Sequence, residues 1–175
     1  MEFITEEIIE RYSKENPTLD PYYYKNRWGY ISEVIKLIKD FENKYNIKKV
    51  LEIGPYLLPI VHESDIIDNV KRDNLISDGK FILQDASEVP WDIEQYDLIL
   101  ALQVWEHLGT SQQKAFAEAQ KHSKMLILSF PWMWSKSRDY MHNNINDNRI
   151  MEWTNNTTPT LSIKSGAIKI NLYIF

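Results

Sequence analysis

A chain of 175 residues with no cysteine can close no disulfide and build no thiolate metal site, and a reducing cytoplasm is its expected setting. Its formal charge of −5 is spread over both signs without a Lys/Arg stripe, which argues against bulk nucleic-acid binding. No apolar run approaches the roughly 20 residues of a membrane span, so a soluble, cytoplasmic protein with a small-molecule partner, no nucleic acid and no membrane is expected. Oligomeric state is left open.

The first 30 residues read as an N-terminal extension: an acidic amphipathic start, "MEFITEEIIERYSKEN", followed by the aromatic stretch "DPYYYKNRWGY". Residues 31–175 read as a single domain without repeats or Gly/Ser linkers. Ile31, Val34, Ile35, Ile38 and Phe41 recur at helical spacing and predict an amphipathic helix over 31–45, with Ser32 placed as its cap. "KKVLEIG" then predicts a buried first strand ending at Gly54.

Short apolar runs come next at 65–68 ("DIID"), 80–85 ("KFILQD"), 96–102 ("YDLILAL") and 124–130 ("KMLILSF"). Between the last two, a helix over 111–122 is predicted, with Ser111 as N-cap and Ala115, Phe116 and Ala119 facing inward. Such alternation points to a parallel sheet covered on both faces. After a short helix over 147–153, "TLSIKSG" and "AIKINLYIF" read as two strands joined at Gly166, an antiparallel hairpin closing the sheet edge. The fold class is therefore α/β, Rossmann-like and doubly wound, with a mostly parallel sheet.

In an open α/β sheet, ligands sit outside the carboxyl ends of the strands. The residues there are Glu52, Gly54 and Pro55, then Asp68, then Asp85 and Ala86, then Leu102 to His107. Three carboxylates at successive strand ends can accept hydrogen bonds from ribose hydroxyls or an exocyclic amine, or can simply cap helices and solvate loops. A dinucleotide site would want G-x-G-x-x-G at a helix start, which Pro55, Tyr56 and Pro59 deny.

Taken together, "VLEIGPYLLP", "LQDASEVPW" and "YDLILALQVWEHL" resemble the motifs of class I S-adenosylmethionine-dependent methyltransferases. That family's seven-stranded sheet, with its reversed last strand, also requires a closing hairpin. The resemblance implies that S-adenosylmethionine is the cofactor and that Gly54 lets the backbone approach its methionine part, with Glu52 and Pro55 beside it. Asp68 would take the ribose hydroxyls, with Asp65 as the alternative. Asp85 would face the adenine amine, Ala86 would offer backbone atoms to the ring, and Leu102 and Gln103 would floor the methyl site. Arg27, among the aromatics before the first helix, would reach the cofactor's carboxylate as part of a lid.

Tyr56 and Leu58 stand where the family carries further glycines, and the stretch from Gly54 to Asp68 is short enough to reduce the first crossover helix to a turn. The candidate catalytic groups are His107, as a general base or as an organiser of its loop, and His142, on the loop after the fifth strand. His62 and His122 are expected at the surface, and the spacing of His, Asp and Glu gives no metal constellation. The implied activity is methyl transfer to an oxygen or nitrogen of a small molecule; the alternative is a methyltransferase-like module that binds without catalysis.

Overall fold

A computed structural model describes residues 1–15, 25–73 and 75–175. The elements run α1 (Glu6–Glu15), α2 (Trp28–Tyr45), β1 (Val50–Ile53), β2 (Asp65–Asp68), β3 (Phe81–Leu83), β4 (Tyr96–Leu102), α3 (Gln112–His122), β5 (Ser123–Pro131), α4 (Asp147–Trp153), β6 (Leu161–Ser165) and β7 (Ile168–Ile174). Single 3-10 turns occupy Trp105–His107 and Tyr140–His142. The strands form one seven-stranded sheet in the order β3-β2-β1-β4-β5-β7-β6, parallel from β3 to β5 and antiparallel from β5 through β7 to β6. Gly166, at φ +58°, turns the closing hairpin.

Side chains alternate across the pleat, so one strand feeds two cores. On β4, Leu98 and Leu100 face a core built with α1, α2 and Met125, whereas Ile99 and Ala101 face a second core with Ala115 and Phe116 of α3 and Trp153 of α4. The helix α2 buries Tyr30, Ile31, Val34, Ile35, Leu37 and Ile38, each contributing about 1.5–3 kcal/mol if fully transferred from water. It begins at Trp28, three residues earlier than its apolar periodicity indicates. Ser32 therefore lies inside the helix and donates to the Gly29 carbonyl rather than capping it. The chain leaves α2 through Asn46, whose left-handed backbone (φ 50°) returns its N–H to the Glu42 carbonyl.

The segment after β1 is not helical. Residues 55–61 fold as a loop whose Leu57, Leu58, Ile60 and Val61 enter the first core, in place of a helical face. The N-terminal segment packs on this loop: Ile4 N–H donates to the Ile60 carbonyl, His62 N–H to the Glu2 carbonyl, and Ile9 and Tyr12 of α1 join the same core. Asp20, Pro21, Tyr22, Tyr23 and Tyr24 of the expected lid lie outside the described residues. Among the described residues, no helix is long and apolar enough to cross a membrane.

Two smaller expectations are corrected. Ser111 stands before α3 but makes no side-chain cap; its carbonyl accepts from Ala115 N–H at 2.8 Å. His122 is not a surface residue: its Nδ1 lies 3.3 Å from the Glu94 carbonyl and its Nε2 3.4 Å from Glu118, because it occupies the inner face of the last turn of α3.

Candidate functional site

The carboxyl ends of β1, β2, β3 and β4 converge on a cleft of about 350 Å³ lined by Gly54, Asp68, Asp85, Ala86, Gln103 and His107, among others. That volume falls within the roughly 300–1,000 Å³ of small-ligand sites. Gly54 has φ +61°, and a Cβ on it would stand 3.1 Å from Val104 Cγ2, so both backbone and space ask for glycine. Tyr56 (φ 67°) and Gln103 (φ 59°) also adopt left-handed backbone, a conformation that costs a side-chain-bearing residue about 1–2 kcal/mol. Strain at two strand ends beside one cleft is the usual mark of a functional site. Gln103 is held there by its N–H and its side-chain amide, both donating to Ser129 Oγ.

Tyr56 keeps the turn's glycine-type conformation and stays out of the cleft lining; the Arg72 guanidinium lies 5.0 Å above its ring. Arg72 in turn donates to Asp68 at 2.8 Å, while the other Asp68 oxygen accepts from Val70 N–H. A carboxylate has about four acceptor positions, so two remain for a pair of hydroxyls. Asp65, the alternative, is turned elsewhere: it accepts from Tyr96 Oη and Lys80 N–H. Asp85 accepts from Ser87 N–H at 2.8 Å, and that bond holds its carboxyl below the usual range, ionised and facing the cleft beside Ala86.

Glu52 is engaged in a different task. Its side chain points to the first core, where the two carboxylate oxygens accept from Ile60 N–H (3.0 Å) and Val61 N–H (2.7 Å), with Ser64 Oγ at 3.2 Å. Burial pushes it up to about 7 against the pull of those three donors. It lines a separate pocket of about 40 Å³ with Arg27, Tyr30, Gly54, Pro55 and Leu102. Gly54 thus borders both this pocket, with Arg27 and Pro55, and the cleft that holds Asp85.

The two candidate histidines, 35 residues apart in sequence, meet with their Nε2 atoms 3.0 Å apart and their rings edge to face. His107 comes from the 3-10 turn after β4. His142 arrives on the return of the 132–146 loop, which is pinned by Met133 N–H to the Ile145 carbonyl and Asn144 N–H to the Trp134 carbonyl. Trp134, whose indole N–H donates to Ala167, packs edge-on against the His142 ring. Glu106 lies beneath them, its carboxylate 3.8 Å from His142 Nε2 and fully buried. Burial, with a smaller push from Asp139, raises Glu106 to about 8. His142 is lowered, first by burial and then by the neighbouring charge of His107. Spacing in the sequence concealed this constellation, because its members come from two loops joined only by the fold.

No protein-family model matches the sequence, and no curated protein does. Solved structures do match. The methyltransferase domain of bacterial CtHen1 superposes with a TM-score of 0.62 at 10% identity, covering 85% of this chain and 99% of that one. An rRNA methylase from Escherichia coli gives 0.59 at 17% identity over 97% of this chain and 76% of that one. The N-terminal domain of EvdMO1, solved with S-adenosylhomocysteine bound, gives 0.51 at 10% identity, covering 78% of each chain.

One expectation is overturned by these neighbours. The exclusion of nucleic acid in favour of a small-molecule partner cannot rest on charge, since an rRNA methylase shares this fold over 97% of the chain. Net charge describes the whole surface, whereas a polymer is held by a local one. The sheet order, the reversed β7 and these superpositions agree: the chain has the Rossmann-like fold of the class I methyltransferases.

Proposed function

We propose that the chain is an S-adenosylmethionine-dependent methyltransferase acting on an oxygen or nitrogen nucleophile. The observation that carries this reading is the convergence of Gly54, Asp68, Asp85, Ala86 and Gln103, from four strand ends, on one cleft in this fold. The cofactor supplies a methyl group on a sulfonium, whose transfer is an in-line displacement that returns the carbon–sulfur electron pair to sulfur. The chain's part is then positioning. Gly54 leaves room for the donor's amino-acid end, with Arg27 as the cation toward its carboxylate; Asp68 accepts the ribose hydroxyls, and Asp85 accepts from the adenine amine. Leu102 and Gln103 form the floor on which the methyl group faces the acceptor. An adenosyl sulfonium carries no phosphate, so the missing glycines of the turn cost it less than they would cost a dinucleotide.

Calorimetric titration with S-adenosylmethionine and S-adenosylhomocysteine tests the reading; binding of both is expected, and no heat with either removes it. Asp85→Ala is expected to weaken both affinities by about 10- to 100-fold, the worth of one hydrogen bond to a charged group. Its melting temperature should move by only a few degrees, because the lost Ser87 bond is worth about 1 kcal/mol. Unchanged affinity would remove Asp85 from the adenine site.

The Arg72–Asp68 ion pair favours a second reading, a methyltransferase-like module that binds partners without methyl transfer. In that case Arg72→Ala alone should create measurable cofactor binding where the natural chain shows none.

A further inference from the structure

We propose that Glu106, His107 and His142 bind a divalent cation of the first transition row. One ligand-type atom from each residue lies within 4.8 Å of the others. The Nε2 atoms of the two histidines are 3.0 Å apart. Two imidazole nitrogens each about 2.1 Å from one ion stand roughly 3.0–3.4 Å apart at octahedral or tetrahedral angles, so the pair is already set at ligand spacing.

Glu106 points to a cation independently of the histidines. Its side chain is fully buried, neither carboxylate oxygen has a hydrogen-bond partner among the described residues, and Oε1 is 3.8 Å from His142 Nε2. A buried carboxylate without donors is costly unless a proton or a positive charge meets it, and a cation can displace the proton. The outer ring nitrogens are also arranged as in metal sites, where a polar group on the far nitrogen leaves the inner lone pair free for the ion. Asp139 Oδ2 lies 3.7 Å from His107 Nδ1, and Ser137 Oγ lies 3.4 Å from His142 Nδ1.

Two imidazoles and one carboxylate suit Fe²⁺, Co²⁺, Ni²⁺ or Zn²⁺ better than Mg²⁺ or Ca²⁺, and three ligands leave coordination positions open. His107 also lines the 350 Å³ cleft. The open positions therefore suit an oxygen-bearing acceptor group, a role that rests on the methyltransferase reading, whereas cation binding itself does not.

The test is a titration of the chelator-treated chain with Co²⁺, read by its visible d–d absorption and by calorimetry, with no methyl donor present. One equivalent is expected to bind, at least tenfold more tightly than Mg²⁺. His142→Ala and Glu106→Gln should each lower Co²⁺ affinity by about tenfold or more, since even outer-shell changes cost about 10- to 100-fold, while His62→Ala leaves it unchanged. Co²⁺ should also raise the melting temperature of the natural chain by more than that of His142→Ala at the same concentration. Equal affinity in the natural chain and His142→Ala, or a spectrum unchanged by Glu106→Gln, overturns the site; Mg²⁺ binding as tight as Co²⁺ overturns the ion class. Because cofactor binding is read in a separate titration, either reading can fail alone.

Discussion

Replacing Trp105 with alanine is expected to lower the unfolding free energy by about 3–5 kcal/mol, the usual cost of removing a large buried aromatic. Against a total of about 5–15 kcal/mol for a domain, that is a large share. Trp105 is fully buried, packed in the second core with Phe116, Phe130 and Ile145, and it opens the 3-10 turn that presents Glu106 and His107. Its ring is therefore the anchor of the turn as well as part of the core. Urea unfolding monitored by far-UV circular dichroism would measure the loss, and the melting temperature should fall by about 6–20 °C. The indole N–H is buried without a partner among the described residues. Trp105→Phe keeps an aromatic ring and removes that stranded donor, so its cost should stay below about 2 kcal/mol. Equal losses in the two variants would show that the ring does not hold the turn.

Much of the frame was legible because strand and helix periodicities are local. The strands at 65–68 and 96–102 and the helix at 147–153 coincide with the predicted runs, and the hairpin at Gly166 closes the sheet as its flanking apolar stretches require. Boundaries that depend on neighbours were less legible. The start of α2 at Trp28 carries no side-chain cap, and Ser32, the cap-type residue in the sequence, lies one turn inside. The role of the N-terminal segment was also hidden, because Phe3 and Val61 meet only after the chain has turned back on itself.

At the site, each strand-end residue could be placed from sequence, whereas relations between them could not. Gly54, Asp68, Asp85 and Gln103 share a cleft because the parallel strand order aligns their carboxyl ends, and order is implied by the pattern of elements. Glu52 lies on the same face of β1 as Gly54, yet its carboxylate is taken up by the Ile60 and Val61 N–H groups and does not reach the cleft lining. His107 and His142 could be nominated singly, but their 3.0 Å approach depends on the 132–146 loop returning along Trp134, which periodicity does not encode. Tyr56 is instructive in the other direction. Its position in a glycine turn signals a left-handed backbone, and the structure has that backbone, with the ring turned under Arg72.

Glu52→Ala is the second substitution with a large expected effect, about 2–5 kcal/mol. The carboxylate stands where a helix after β1 would otherwise organise the chain, and its oxygens satisfy the N–H groups of Ile60 and Val61 together with the Ser64 hydroxyl. Alanine would leave two buried N–H donors unpaired, at about 1–3 kcal/mol each. Glutamine retains one acceptor but turns an NH2 group toward a backbone donor, so it should also destabilise, by less. The same carboxyl gives the protein a pH dependence of definite sign. Burial raises it from 4.5 to about 7 in the folded chain, so between those values the native state holds a proton that the unfolded chain has released. Stability from this group is therefore greatest at the acidic end and declines as pH rises toward 7, by up to about 1.4 kcal/mol per unit and about 3 kcal/mol in all. Urea unfolding of the natural chain and of Glu52→Gln at pH 5, 6, 7 and 8 isolates the effect, since the difference between them cancels every other titrating group. The difference should shrink as pH rises. A constant difference would mean that the three donors fully offset the cost of burying the charge, leaving the carboxylate ionised throughout the range.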